Sequence, residues 1–316
     1  IDNLKEYVKT NPTAFIIHTG DICYEAHQDF HGRYLRSEDL GVPTYYCVGN
    51  HDLRAGRYGE ELWQSHFGPS WYSFDVGNVH YVVTPMLGGD HAPSYRRADI
   101  IRWLKNDLAQ INRDKRVVLF NHDLWFWGDD LLFKDKNGEQ IDFADYNLDA
   151  MIYGHWHNHY YKQLKSGLHT YCSSTPDKGG IDHGTSCFRI YHADTKGKLS
   201  SETRYTYIDG ILTSAYPAEG EMVSVSDGKM TVRINAYRTV SYAKKVTASV
   251  ERNGKIMSSV TLLPETDWEW SGTIRVSDGK QRLLVTAEFE DGTRLTKRVD
   301  YTVTGQPAAS AVTSAI

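Results

Sequence analysis

Four short apolar runs, each closed by small and metal-capable residues, constrain this chain more than any other feature. Residues 14–19 (AFIIHT) end on Gly20-Asp21, and residues 44–48 (TYYCV) end on Gly49-Asn50-His51-Asp52. Residues 116–120 end on Asn121-His122, and residues 150–153 end on Gly154-His155-Trp156-His157. Continuous apolar runs of this length suit strands buried on both faces. Helical stretches alternate with them at 2–9, 58–66 and 98–111, the last with Ile100, Ile101, Leu104, Leu108 and Ile111 at helical spacing. Segments 71–75 and 79–84 flank Gly77-Asn78 and read as a hairpin. The alternation predicts an α/β layer structure. In such sheets ligands bind at the carboxyl ends of the strands.

After about residue 210 the helical periodicity stops. Short β-rich segments follow at 222–225, 229–236, 245–251, 256–262, 268–276, 281–289 and 295–303, with Asp227-Gly228, Asn253-Gly254, Asp278-Gly279 and Asp291-Gly292 between them. About seven short strands punctuated in this way predict an all-β, immunoglobulin-like sandwich. The expected organisation is an α/β domain over 1–207, a linker over 208–220, the sandwich over 221–304 and a flexible tail over 305–316. Two domains agree with 316 residues at ~100–200 residues per domain.

With 40% hydrophobic and 24% charged residues the chain is not of disordered composition. A net charge of −5 argues against a nucleic-acid binder, whose footprint is basic. No apolar run approaches the ~18–20 residues of a membrane helix, and no signal peptide is visible. The chain opens on Ile1 with a helix ahead of its first strand, so a processed N-terminus or a piece of a longer chain is expected. Cys23, Cys47, Cys172 and Cys187 lack C-x-x-C spacing and read as buried small residues. Cys172 and Cys187 lie in β-like segments that have the option of facing each other.

Asp21, Asn50, His51, His122, His155 and His157 all follow apolar strands, most of them beside a glycine. A single histidine there would read as a satisfied structural residue, but packing does not explain the set. Carboxylate and imidazole ligands from four strand tips fit a binuclear metal centre, with zinc, iron or manganese as suitable ions. Two cations ~3.5–4 Å apart hold a hydroxide and a phosphoryl oxygen together and lower the pKa of bound water towards ~7.

Gly20-Asp21, Gly49-Asn50-His51-Asp52, Asn121-His122 and Gly154-His155-Trp156-His157 resemble the signature of the calcineurin-like metallophosphoesterase superfamily over residues 1–207. The resemblance implies a four-layer α/β/β/α sandwich, two divalent or trivalent metal ions and hydrolysis of phosphate esters by a metal-bound hydroxide. It implies that Asp21 bridges the metals, that Asn50, His122 and His155 complete one site, and that His157 serves the other. By the same resemblance His51 is no ligand but assists the leaving oxygen. The family's first motif, D-x-H or D-x-G, has no counterpart ahead of Asp2. The domain is therefore expected to lack its first strand and part of the second metal's ligand set. Asp21-Ile22-Cys23-Tyr24 is also similar to the purple acid phosphatase branch, which would make Tyr24 a ligand; an ordinary aromatic lining the loop is the other reading.

Several neighbours stay open between functional and plain readings. Trp125, within Leu124-Trp125-Phe126-Trp127, fits an aromatic wall for substrate or a core cluster. His183 and Asp182, in the Gly-rich segment 176–184, are candidate substrate contacts. Asp52 and Asp123 each follow a motif histidine and are candidates to orient it. His159 reads as an exposed loop residue, His18 as buried and hydrogen-bonded, and Arg96 and Arg97 as a solvated helix start with an option on phosphate. Trp268 and Trp270 share one strand face, as core or as a carbohydrate-binding pair.

The expected function is a metallophosphoesterase acting on a phosphate-ester small molecule or a glycan- or lipid-linked phosphate, as monoester or diester. A secreted or periplasmic setting follows from domain analogy alone. The alternative is a non-catalytic binding or scaffold protein that keeps the fold.

Overall fold

The computed structural model describes residues 1–22, 32–54, 56–175, 181, 183–206 and 210–305. The chain divides into two compact units, Ile1–Tyr207 and Ile208–Ile316.

In the first unit, helix α1 (Asp2–Thr10) precedes β1 (Ile16–His18), which pairs in parallel with β2 (Thr44–Tyr46). A six-stranded sheet follows. The hairpin β3 (Tyr72–Val76) and β4 (Val79–Val83) closes through Gly77-Asn78, where Gly77 takes φ 58°. β4 pairs in parallel with β5 (Arg116–Phe120), β5 with β8 (Leu148–Tyr153), and β8 with β10 (His169–Cys172). Strand β9 (Tyr160–Gln163) closes that edge in antiparallel sense. A short hairpin, β6 (Leu132–Lys134) with β7 (Gln140–Asp142), lies between β5 and β8 in sequence, and β11 (Cys187–Ala193) pairs with β12 (Leu199–Tyr205).

Side-chain alternation explains the layering. Val82, Val117, Leu119, Met151 and Tyr153 share a core with Ile100, Ile101, Leu104 and Leu108 of the helix Arg97–Leu108. The alternate residues Tyr81, Val83, Val118, Phe120, Ala150 and Ile152 pack with Cys47, Phe15 and Ile17 from around β1 and β2, and with Tyr191 and Leu199. Both faces of β4, β5 and β8 are therefore buried, which is why these strands read as unbroken apolar runs. Parallel pairing of β1 with β2 and of β5 with β8 puts the carboxyl ends of each pair side by side.

The second unit holds two sheets around one apolar cluster that includes Val232, Ile234, Val285, Phe289 and Tyr301. One runs β13 (Ile211–Tyr216), β15 (Lys229–Tyr237), β19 (Glu269–Arg275), β18 (Leu263–Pro264). The other runs β14 (Met222–Val225), β21 (Arg294–Gly305), β20 (Gly279–Phe289), β16 (Ala243–Arg252), β17 (Lys255–Thr261). The stretch 208–220, read as a linker, contains β13, which pairs antiparallel with β15. Its burial is only partial along its length, so its apolar signal is weak. Trp268 and Trp270 do not share an environment. Trp270 lies in β19 and is buried in the cluster, whereas Trp268 precedes the strand and is partly exposed.

Cys47, Cys172 and Cys187 are buried free thiols, so no bond joins Cys172 to Cys187 across β10 and β11. Cys23 lies outside the described residues, as does the tail read over 305–316 apart from Gly305, which ends β21. No described helix is long and apolar enough to cross a membrane.

Candidate metal centre

Asp52 assembles the first half of the site. Its carboxylate is fully buried and accepts the backbone N–H groups of Asp21 (2.7 Å), Gly49 (2.8 Å) and Ile22 (3.0 Å). Three charge-assisted bonds clasp the turn after β1 against the turn after β2. Burial pushes this carboxyl up to about 6, against the pull of the Gly49 N–H. Two glycines permit the approach. Gly20 takes φ 100°, and a Cβ there would overlap His122 Nδ1 and stand 2.9 Å from Gly49 Cα. A Cβ on Gly49 would overlap the Asp21 carboxylate.

The second half comes from β5 and β8. His122 Nε2 lies 3.0 Å from Asp21 Oδ2 and 3.2 Å from His155 Nδ1. The ligand-capable atoms of Asp21, His122 and His155 all fall within 4.8 Å of one another. His122 is buried, and its Nδ1 donates to the Thr19 carbonyl at 2.7 Å. A ring with Nδ1–H committed to a carbonyl presents the Nε2 lone pair, which is the tautomer a metal needs. Burial raises the Asp21 carboxyl, but the His122 imidazole and the His51 N–H outweigh it and hold the group below its usual range. Asp21 is thus an anion.

Asn50 supplies the test of fit. Its Oδ1 is buried and has no hydrogen-bond partner among the described residues. A buried acceptor left bare costs ~1–3 kcal/mol, and a cation is a natural partner for an amide oxygen on the turn that clasps Asp21. Together with one carboxylate and two imidazoles, the donor set suits a first-row metal. Backbone strain marks the same place. Asp21 (φ 53°), His155 (φ 63°) and His157 (φ 50°) are three of the five non-glycine residues with positive φ among those described. Such conformations persist where the surroundings over-determine them.

The other expected residues distribute as follows. His157 shares the His155 turn, and its carbonyl accepts the Ile181 N–H at 2.6 Å, but it is not part of the three-residue cluster. His51 donates its backbone N–H to Asp21 Oδ1 at 2.9 Å. Its Nδ1 lies 3.1 Å from Asp90, which also pairs with Arg54. Tyr24 and Asp182 lie outside the described residues, and His183 is exposed.

Some readings change. Asp123 does not orient His122; it accepts Trp156 Nε1–H at 3.0 Å and its neighbour's Leu124 N–H, because the Thr19 carbonyl already occupies His122 Nδ1. Asp52 acts on the backbone N–H groups of Asp21, Ile22 and Gly49. His159 is half-buried, with Nε2 3.0 Å from Ser174 Oγ. His18 is only half-buried and accepts the Gly20 N–H. Arg97 stacks over Phe133 and donates to the Lys134 carbonyl, so it serves the fold. Trp125 stacks on Phe133 with ring centroids 3.7 Å apart and planes at 3°. Trp127, two residues on, is exposed instead.

Asp90 was not singled out from the sequence. A carboxylate directly after Gly88-Gly89 was the available signal, since Gly89 lies where a Cβ would overlap the Asn50 carbonyl.

Comparison with known proteins adds the following. The chain is 28% identical to purple acid phosphatase 15 of Arabidopsis thaliana over 152 residues, 42% of this chain and 28% of that protein. It is 27% identical to purple acid phosphatase 21 of the same plant over 127 residues, 34% of this chain and 28% of that one. It is 27% identical to acid phosphatase type 7 of Mus musculus over 114 residues, 32% of this chain and 25% of that one. The match thus spans about a quarter of these relatives' own length. The family model described as calcineurin-like phosphoesterase matches residues 1–159.

Proposed function

The chain belongs to the calcineurin-like phosphoesterase family, and from that premise we propose that it hydrolyses small phosphate esters at the strand tips of its first unit. The observation that carries this reading is the bare, buried Asn50 Oδ1 on the turn that clasps Asp21, beside the Asp21–His122–His155 cluster. We assign Asp21, Asn50, His122 and His155 to one cation. We assign Asp21 and His157, with Tyr24, to a second in a binuclear centre. When bound, the cations supply a lowered water pKa and neutralise charge developing on the phosphoryl oxygens.

The chain's own residues do the rest. Asp52 fixes the two turns and so sets the spacing of Asp21 and Asn50. The Thr19 carbonyl holds the His122 ring in its ligating tautomer. His51 is tied by its backbone to Asp21 and by Nδ1 to Asp90, which aims Nε2 at the leaving oxygen. A protonated His51 donates there. Further parts of the proposal are a four-layer first domain, an immunoglobulin-like second domain and an extracytoplasmic setting; the last rests on domain analogy alone.

The test is hydrolysis of a monoester and a diester by the wild-type chain and by His51→Ala, with metal content measured on both. Hydrolysis by the wild type with a loss of ~10²–10⁴-fold in the variant at equal metal content supports the reading. Full activity in His51→Ala refutes its role.

A further inference from the structure

Beside the cluster, the segments that follow His122 and His155 bring aromatic rings together, and one of them, Trp156, is seated against the first unit's core. Trp156 stands between His155 and His157 in the chain. Its Nε1 donates to Asp123, the residue after His122, and Tyr153 supports it edge-on at 5.1 Å. Against this fixed indole lie Trp127, at 5.0 Å and 32°, and Tyr160, at 5.4 Å and 58°. Trp127 is 68% exposed, more than any other aromatic side chain among the described residues. Its neighbours are not: Phe126 is buried and Trp125 is stacked on Phe133. The Trp127 backbone is held, since Lys162 Nζ donates to its carbonyl at 3.3 Å. The ring is therefore displayed from an anchored segment.

We infer that Trp127, Trp156 and Tyr160 form a stacking platform for a flat unsaturated ring on the alcohol portion of the phosphate ester. This rests on the phosphoesterase reading for the position of the phosphate. A ligand whose phosphoryl group sits at Asp21, His122 and His155 would extend over rings borne on the segment after His122, on the His155 turn and at the start of β9. The occupant is a ring because the platform offers π faces and edges; it selects by stacking. Two sources share that chemistry, a nucleobase and a simple aryl group.

The test compares esters that differ only in the ring. Adenosine 5′-monophosphate is set against ribose 5-phosphate, and benzyl phosphate against ethyl phosphate, with the wild-type chain and Trp127→Ala. Stacking of one ring predicts about a 5–150-fold higher kcat/KM for the ring-bearing member, and a ratio falling towards one in Trp127→Ala. A preference in the first pair alone names a nucleobase, and one in the second pair names an aryl ring. Equal kcat/KM within both pairs, or a preference that survives Trp127→Ala, overturns the platform. If the wild type hydrolyses none of the four, the phosphomonoesterase form of the reading fails, and quenching of tryptophan fluorescence then decides the platform separately. Quenching by adenosine 5′-monophosphate or benzyl phosphate but not by its ring-free counterpart, lost in Trp127→Ala, supports it. No quenching by either ring-bearing ester overturns it.

Discussion

Both units reverse their chains at strand ends, but they spend left-handed backbone on different residues. In the second unit it falls on turn formers: Asn253 and Gly254 between β16 and β17, and Gly228, Gly279 and Gly292. Asn and Gly adopt these angles at little cost. In the first unit it also falls on Asp21, His155 and His157, where the strain is ~1–3 kcal/mol per residue. Nothing about turning the chain requires a histidine there. The strain persists because Asp52 and His122 hold the Asp21 turn, while on the other turn the Gly154 N–H donates to the His122 carbonyl and the His157 carbonyl accepts the Ile181 N–H. The comparison teaches that turns in one unit serve the chain path and in the other position the residues proposed above as ligands.

The strongest way to break that contrast is Asp21→Ala. It should lower hydrolysis by about 10³-fold and remove bound metal, while far-ultraviolet circular dichroism stays that of the wild type. Retained metal and rate would show that the strained aspartate aims nothing. Next in size is Asp90→Asn, which leaves His51 in place but weakens its anchor at Nδ1. The expected loss is about 10–100-fold in kcat with KM little changed, measured by steady-state kinetics.

A matched pair of glycines sharpens the comparison further. Gly49→Ala puts a Cβ on the Asp21 carboxylate and should cost about 1–3 kcal/mol of stability together with activity. Gly254→Ala meets no atom within 4 Å but carries φ 74°, so it should cost about 1–2 kcal/mol and leave the rate alone. Denaturant unfolding and rate measurements on both variants check this.

The smallest effect is a pH dependence away from the strand tips. Buried His80 places Nδ1 2.9 Å from Asp75 and Nε2 2.9 Å from Asp107. Burial alone would pull its pKa down, but the bonds to Asp107 and Asp75 outweigh this and hold it above the ordinary value. The folded-state pKa is raised, so this contribution is complete below the unfolded value of ~6.5 and is lost as pH rises through the folded value. Thermal unfolding should show wild type losing stability on that alkaline side relative to His80→Gln. A pH-independent difference would refute the pairing.

The strand tips were legible in the sequence because strands buried on both faces leave unbroken apolar runs, and the polar residues that interrupt them stand out. The hairpin was legible from its Gly77-Asn78 turn, and the helix around Ile100–Leu104 from its period. β9 was not, since Tyr160–Gln163 is an exposed edge strand and carries no burial alternation. β6 and β7 are only three residues each, too short for a period. The roles of Asp90, Asp123 and His80 were hidden because each depends on a partner 27–39 positions away. Spacing along the chain reports which residues share a strand tip, and only the fold reports which carboxylate holds which ring.

The central claim is that the strand tips of the first unit form a metal centre that hydrolyses phosphate esters. It is tested most directly by measuring metal content and phosphate-ester hydrolysis on the same preparations of wild type and Asn50→Ala, before and after chelation and metal return. The account predicts tightly bound metal in the wild type, activity lost on chelation and restored on return, and both metal and activity diminished in Asn50→Ala. A metal-free wild-type chain that hydrolyses the ester at full rate would contradict it.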